Sequence, residues 1–256
     1  MRTGQVEGQL AAWRELPVRD GGTPIVFLHG VPTNSREWEP FLARTGGTAP
    51  DLRGFGASSK RGDLDYTFLG LARWFDAFLA ERGIDRVRLV VQDWGAGVGL
   101  AWAQDHPERV ERLVVLNAVP LLAGYRWHKV ARIWRTRGLG ELAMGLPKPW
   151  TRLLPRELRE LVWDAWDQGT QRAILQLYRH ADPDVLAAAG ARLGEITAPA
   201  LVLWGAQDPF IPTRFAHDYA AVLGGAVDLE VLDDAGHWAW LDRPDVVERV
   251  AAFLEA

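Results

Sequence analysis

The stretch Val90-Val91-Gln92-Asp93-Trp94-Gly95-Ala96-Gly97-Val98-Gly99 limits what this chain can fold into, because it runs an apolar strand straight into a small-residue helix with a carboxylate at the turn. The run Val87 to Val91 has the length of a buried parallel strand. Gly95, Ala96, Gly97 and Gly99 let the helix that follows pack tightly against it. Such a turn lifts one side chain above the sheet, and here Asp93 stands where serine is usual, flanked by Val91 and Gly95.

The carboxylate selects the chemistry. An aspartate is already ionised at neutral pH and needs no base to become a nucleophile. Attack on a saturated carbon bearing a leaving group gives an ester, which water can cleave at the enzyme's own carbonyl carbon. A serine would form an ether that water does not readily open. Asp93 therefore points to epoxide opening or halide displacement; the plain alternative is that it only caps the helix at Gly95. The serines are Ser35, Ser58 and Ser59, none at such a turn, so a serine esterase would need an unrelated site.

With 256 residues, 48% apolar and 24% charged, the chain is long enough for one well-buried domain with an insertion. A net charge of -4 recommends neither nucleic acid nor an anionic membrane as partner. With no cysteine there are no disulfides and no thiolate chemistry. The first residues lack the apolar core of a signal peptide and no apolar run reaches spanning length, so a cytoplasmic protein is expected. No cofactor or metal is expected, since no His and carboxylate cluster has ligand spacing.

Along the chain, Gln5 to Leu16 reads as an opening strand or hairpin and Pro24 to Leu28 as a second strand, ending in His29-Gly30-Val31-Pro32. Asn34 and Glu37 form a capping pair for a helix to about Ala43. The short, polar Arg44 to Ala49 suggests a truncated sheet edge, and Asp51 to Lys60 a turn too polar for the core. Tyr66 to Arg82 is an amphipathic helix. Val110 to Asn117 is a strand, after which the pattern stays helical to Leu193. Strands resume at Ala200 to Trp204 and Val227 to Leu232, each followed by a helix. The expected fold is α/β, a mostly parallel doubly wound sheet, with core 1–119 and 196–256 and an inserted helical cap over 120–195. Five of the thirteen tryptophans (Trp127, Trp134, Trp150, Trp163, Trp166) fall in that cap, to pack it or to line an apolar pocket.

With His29-Gly30-Val31-Pro32, Asp51-Leu52-Arg53-Gly54-Phe55-Gly56-Ala57-Ser58 and the Asp93 turn in this order, the chain resembles an α/β-hydrolase over essentially its whole length. The subgroup it resembles, epoxide hydrolases and haloalkane dehalogenases, uses an aspartate nucleophile beneath a helical cap. The resemblance implies Asp93 as nucleophile, Asp208 (in Leu203-Trp204-Gly205-Ala206-Gln207-Asp208-Pro209) as acid and His237 (in Asp233-Asp234-Ala235-Gly236-His237-Trp238) as base. His237 would activate the water that cleaves the ester, with Asp208 holding its tautomer. The N–H groups of Val31 and Trp94 match the family's oxyanion hole. His29 reads as a loop-shaping residue, and His106, His128, His180 and His217 as surface or structural.

The two reactions differ in what stabilises the leaving group. In the resembled epoxide hydrolases two cap tyrosines bind the ring oxygen; Tyr178, in Leu177-Tyr178-Arg179, matches the second, unless it only packs the cap onto the core. Trp134 stands at the first tyrosine's place, with Tyr125 as the other candidate. For a dehalogenase, Trp94 matches the first halide ligand, while Val31 replaces an asparagine, so Trp134 or Trp150 would be the second. Haloacetate dehalogenases fit poorly, since Trp94 and Gly97 replace their arginines. The sequence reading favours an epoxide hydrolase for a small apolar or aromatic epoxide, with haloalkane dehalogenase as the alternative. A non-catalytic small-molecule binder is the third reading. The expected partners are an apolar small molecule and water, with the chain a monomer or homodimer.

Overall fold

The computed structural model describes residues 1–146 and 150–256, the side chains of Trp150 and Leu153 excepted. Strands β1 (Arg2–Val6), β2 (Gln9–Leu16), β3 (Ile25–Leu28), β4 (Gly47–Pro50), β5 (Val87–Gln92), β6 (Val110–Ala118), β7 (Ala200–Gly205) and β8 (Val227–Leu232) form one sheet in the order β1-β2-β4-β3-β5-β6-β7-β8. The β1–β2 hairpin and the β2–β4 pair are antiparallel, and every pair from β4 onward is parallel.

Helices cover both faces, so the central strands are apolar on both sides. In β3, Val26 and Leu28 face one core while Ile25 and Phe27 face the other, and in β5 Leu89 and Val91 are opposed by Val90 in the same way. Helices α1 (Glu39–Thr45), α2 (Phe68–Glu81) and α3 (Asp93–Asp105) belong to the first half. Phe68, Leu71, Phe75, Phe78 and Leu79, spaced three and four apart, bury one face of α2, and Thr67 caps it by accepting the Gly70 N–H at 3.0 Å. Between β6 and β7 the described chain is helical: α4 (Lys129–Arg135), α5 (Leu139–Gly145), α6 (Arg156–Asp164), α7 (Gln168–Arg179) and α8 (Pro183–Ala189). Helices α9 (Arg214–Val222), α10 (Ala239–Asp242) and α11 (Asp245–Glu255) complete the chain.

Three local expectations are corrected. The polar Arg44 to Ala49 segment is no truncated edge: β4 has four residues but lies inside the sheet, between β2 and β3, and all four are buried. Gly46, at φ 73°, permits that tight entry, since a Cβ there would come within 1.9 Å of the Pro17 carbonyl oxygen. The segment Asp51 to Lys60 is largely core: Asp51, Leu52, Arg53, Phe55 and Ser58 are buried. The Asp51 carboxylate satisfies the polar groups there by accepting the N–H of Ser35 at 2.9 Å and of Ala57 at 2.8 Å. Asn34 does cap, but a short 3-10 turn, Ser35–Trp38, and Glu37 does not reciprocate; its carboxyl faces inward. Among the described residues no helix is long and apolar enough to cross a membrane.

Candidate active site

Strand β5 runs in register with β3 (Leu28 opposite Val91) and β6 (Gln92 opposite Leu116), then turns into α3 at Asp93, whose φ of 49° places a non-glycine residue in the left-handed region. Such strain persists only where the surroundings over-determine it. Here Gly95 is held so close to β3 that a Cβ would lie 2.1 Å from the Leu28 carbonyl oxygen, and at Gly99 one would lie 2.6 Å from Val91 Cγ1. Asp93 is no helix cap: its Oδ1 accepts the Val31 N–H at 2.8 Å, across to the loop after β3. His29 shapes that loop, as expected. Its Nε2 accepts the Leu52 N–H at 2.9 Å, so Nδ1 carries the proton and donates to the Gly30 carbonyl at 2.8 Å.

Asp208, just past β7, and His237, past β8, converge on Asp93. His237 Nδ1 donates to Asp208 Oδ2 at 2.7 Å, and its Nε2 stands 3.5 Å from Asp93 Oδ2. The Asp208 side chain is fully buried, and its carboxylate accepts three further hydrogen bonds: Asn117 Nδ2 at 2.7 Å, Phe210 N–H at 2.7 Å and Ile211 N–H at 3.1 Å. Burial alone would raise its pKa; His237 and these donors outweigh burial and hold it below the usual carboxylate range. For His237, burial pulls down, but Asp208 and Asp93 together push its pKa up to about 10. Gln92 lies at the same Nε2 edge as Asp93, with its Nε2 2.9 Å from His237 Nε2 and 3.3 Å from the His237 carbonyl oxygen.

Such a triad can run two steps in sequence. With Asp93 ionised, His237 is drawn into an ion pair and the carboxylate is the free nucleophile. Once Asp93 is alkylated its charge is gone, the His237 pKa falls, and the imidazole becomes a base when water must be activated.

Above Asp93 lies a narrow pocket, part of it open to solvent. Its wall includes Tyr125, Trp127, His128, Trp134, Tyr178 and Phe210. Tyr178, Trp134 and Tyr125, all singled out from sequence, are thus brought together; the Trp150 side chain lies outside the described residues. Trp94 is fully buried, stacked on Trp127 at 5.5 Å between ring centroids and edge-on to Tyr178 at 5.1 Å. Among the described residues its indole N–H has no acceptor in bonding geometry, although the Tyr178 phenol lies close enough to feel the indole. The buried Tyr125 hydroxyl is likewise unpartnered. Burial first, then Asp93, pushes both phenols above their ordinary pKa, so both stay neutral donors.

Sequence reasoning missed several of these residues. His128, read as surface or structural, caps α4 and also walls the pocket. Gln92 and Asn117 are polar residues closing two apolar strands at their carboxyl ends, a signal that could have marked them. Glu37 accepts the Gly30 N–H at 3.1 Å and the Trp238 indole N–H at 3.3 Å, which ties the loop after β3 to the residue beside His237. Nothing local marks Phe210 or Trp238 as pocket residues, whereas Trp127, one of the cap tryptophans offered as a pocket lining, is in its wall. Among the described residues no cluster of His, Cys, Asp and Glu is placed to hold a metal ion.

The profile of the alpha/beta hydrolase fold family matches residues 23–244. The chain is 31% identical over 254 residues to a haloalkane dehalogenase of Mycolicibacterium paratuberculosis, covering 92% of this chain and 84% of that protein. It is 34% identical over 260 residues to haloalkane dehalogenase 1 of Mycobacterium tuberculosis, covering 91% and 84%. A crystal structure of a haloalkane dehalogenase from Bradyrhizobium elkani superposes with a TM-score of 0.85 at 27% identity, covering 99% of this chain and 96% of that one. The chain belongs to the α/β-hydrolase fold family, in its aspartate-nucleophile, haloalkane dehalogenase-like group. It is by class a hydrolase.

Proposed function

We propose that the protein is a haloalkane dehalogenase, with epoxide opening, favoured by the sequence, as the second reading. The observation that carries the first is the Trp94 indole N–H, buried beside the nucleophile with no acceptor. A buried orphan donor is costly unless a ligand satisfies it, and a departing halide is an acceptor of the right charge. Asp93 Oδ2 attacks the carbon that bears the halogen, and the C–X bond breaks with its electron pair leaving on the halide. Trp94 and, from the cap, Trp134 are the halide ligands. Water then attacks the Asp93 carboxyl carbon while His237 Nε2 takes its proton and Asp208 stabilises the imidazolium. The Val31 and Trp94 N–H groups hold the oxyanion, and its collapse expels the alcohol, protonated by His237. The relatives' names support this reading.

Epoxide opening is favoured by a different observation, the unpartnered Tyr125 hydroxyl in the same pocket as Tyr178. Two neutral phenols there suit a departing alkoxide. Intact mass of His237→Gln after separate exposure to 1,2-dibromoethane and styrene oxide tells the two apart. A bromoethyl adduct that disappears when Asp93 is also changed to Ala is expected; an adduct of the whole epoxide mass alone would overturn the dehalogenase reading. No adduct from either would favour a non-catalytic binder. Trp94→Phe should cut bromide release by roughly 10- to 100-fold, the weight of a hydrogen bond to a charged group, and a rate within twofold of wild type would remove Trp94 from the halide site.

A further inference from the structure

One polar group in the pocket is used by no step above. His128 is the N-cap of α4: its backbone is extended (φ -62°, ψ 166°) and its Nδ1 accepts the Ala131 N–H at 3.3 Å. A backbone N–H can only donate, so Nδ1 must present its lone pair, and the ring proton of a neutral imidazole then sits on Nε2. Burial keeps the ring neutral by pulling its pKa down to about 4, partly countered by Asp93. With Nδ1 turned back onto its own helix, Nε2 is on the far side of the ring. Among the described residues none accepts from it, and His128 belongs to the pocket wall together with Asp93 and His237. The ring lies 5.0 Å from that of Phe210, which is itself 5.2 Å from that of His237. Val130, Phe210 and Ile211 make that part of the wall apolar.

We propose that His128 is a specificity residue whose Nε2–H donates to an oxygen acceptor on the substrate, so that the pocket selects alkyl halides carrying an ether or carbonyl oxygen over plain hydrocarbon halides. This rests on the dehalogenase reading. The helix cap sets the tautomer, so the donor is present whatever ligand enters, and an all-carbon chain of the same length would bury it unpaired.

The test compares kcat/KM for 1-bromo-3-methoxypropane and 1-bromopentane, in which an oxygen replaces one methylene, for wild type and His128→Ser. Serine keeps the capping oxygen and removes the remote donor, and the space it opens affects both substrates alike. The ether-to-alkane ratio should fall about 3- to 10-fold in the variant, the weight of one hydrogen bond. An unchanged ratio would overturn the proposal. If wild type releases bromide from neither compound, the dehalogenase reading fails by itself, and His128 is then judged by NMR of protein with 15N-labelled histidine. The expected result is a His128 ring protonated at Nε2 whose resonance moves on titration with the unreactive ether 1-methoxybutane. A ring protonated at Nδ1, or one that the ether does not move, would refute it.

Discussion

Replacing Asp93 by Asn should release His237 from its ion pair without disturbing its position. The ester proposed for the first step is neutral with one carbonyl oxygen, and asparagine reproduces both properties. His237 Nε2 is 3.5 Å from Asp93 Oδ2. At that separation a unit charge is worth about 4–5 kcal/mol with an effective dielectric constant of about 20, or roughly three pH units. Taken from a value of about 10, the loss leaves His237 at roughly 6–7, where it is neutral and basic near physiological pH. The assay is an NMR titration of 15N-histidine-labelled wild type and Asp93→Asn, with His237→Gln to identify the resonance and intact mass to exclude reversion of the asparagine to aspartate. If His237 in the variant still titrates above about 9, Asp208 alone sets its basicity, and the account in which alkylation switches the base on is wrong.

Glu37 makes a pH prediction. Burial pushes its pKa up to about 7 from an ordinary 4.5, so the folded state holds a proton the unfolded state has lost, and stability should fall as pH rises through that window, by roughly 3 kcal/mol. Urea unfolding at pH 5 and pH 8 should show that fall shrinking in Glu37→Gln; an equal fall in both proteins would refute it. Asp208→Asn should leave alkylation running and stall ester cleavage, lowering turnover about 10²- to 10⁴-fold, and rapid-quench mass spectrometry should find the alkyl-enzyme accumulating; its absence would separate Asp208 from the second step. Gly95→Ala should cost at least about 2–3 kcal/mol, because the added methyl meets the Leu28 main chain rather than a movable side chain. An unchanged Tm would show that the turn is looser than described.

What the sequence determined by itself is local and periodic. A continuous apolar run marks β7, one interrupted by Arg88 marks β5, alternation of apolar and acidic residues marks β8 and three- and four-residue spacing marks α2, while the carboxylate at a strand-to-helix turn points to ester chemistry through the reactivity of one residue type. The order Asp93, Asp208, His237 could be read through a family resemblance, and the structure brings these three residues together. Where neighbours in space decide, the sequence misled. Arg44 to Ala49 reads as an edge because it is short and polar, yet β2 returns to cover it. Asp51 reads as surface, yet its carboxylate buries itself by satisfying two distant amides. The leaving-group side of the site is decided by tertiary structure alone. Helices α4 and α7 bring Trp134 and Tyr178 to within 5.1 Å of each other between ring centroids, and whether an indole N–H is left without an acceptor depends on every atom around it. Periodicity records which face of an element is apolar, but a pocket is the gap left when several such faces meet, and no single stretch of chain contains it.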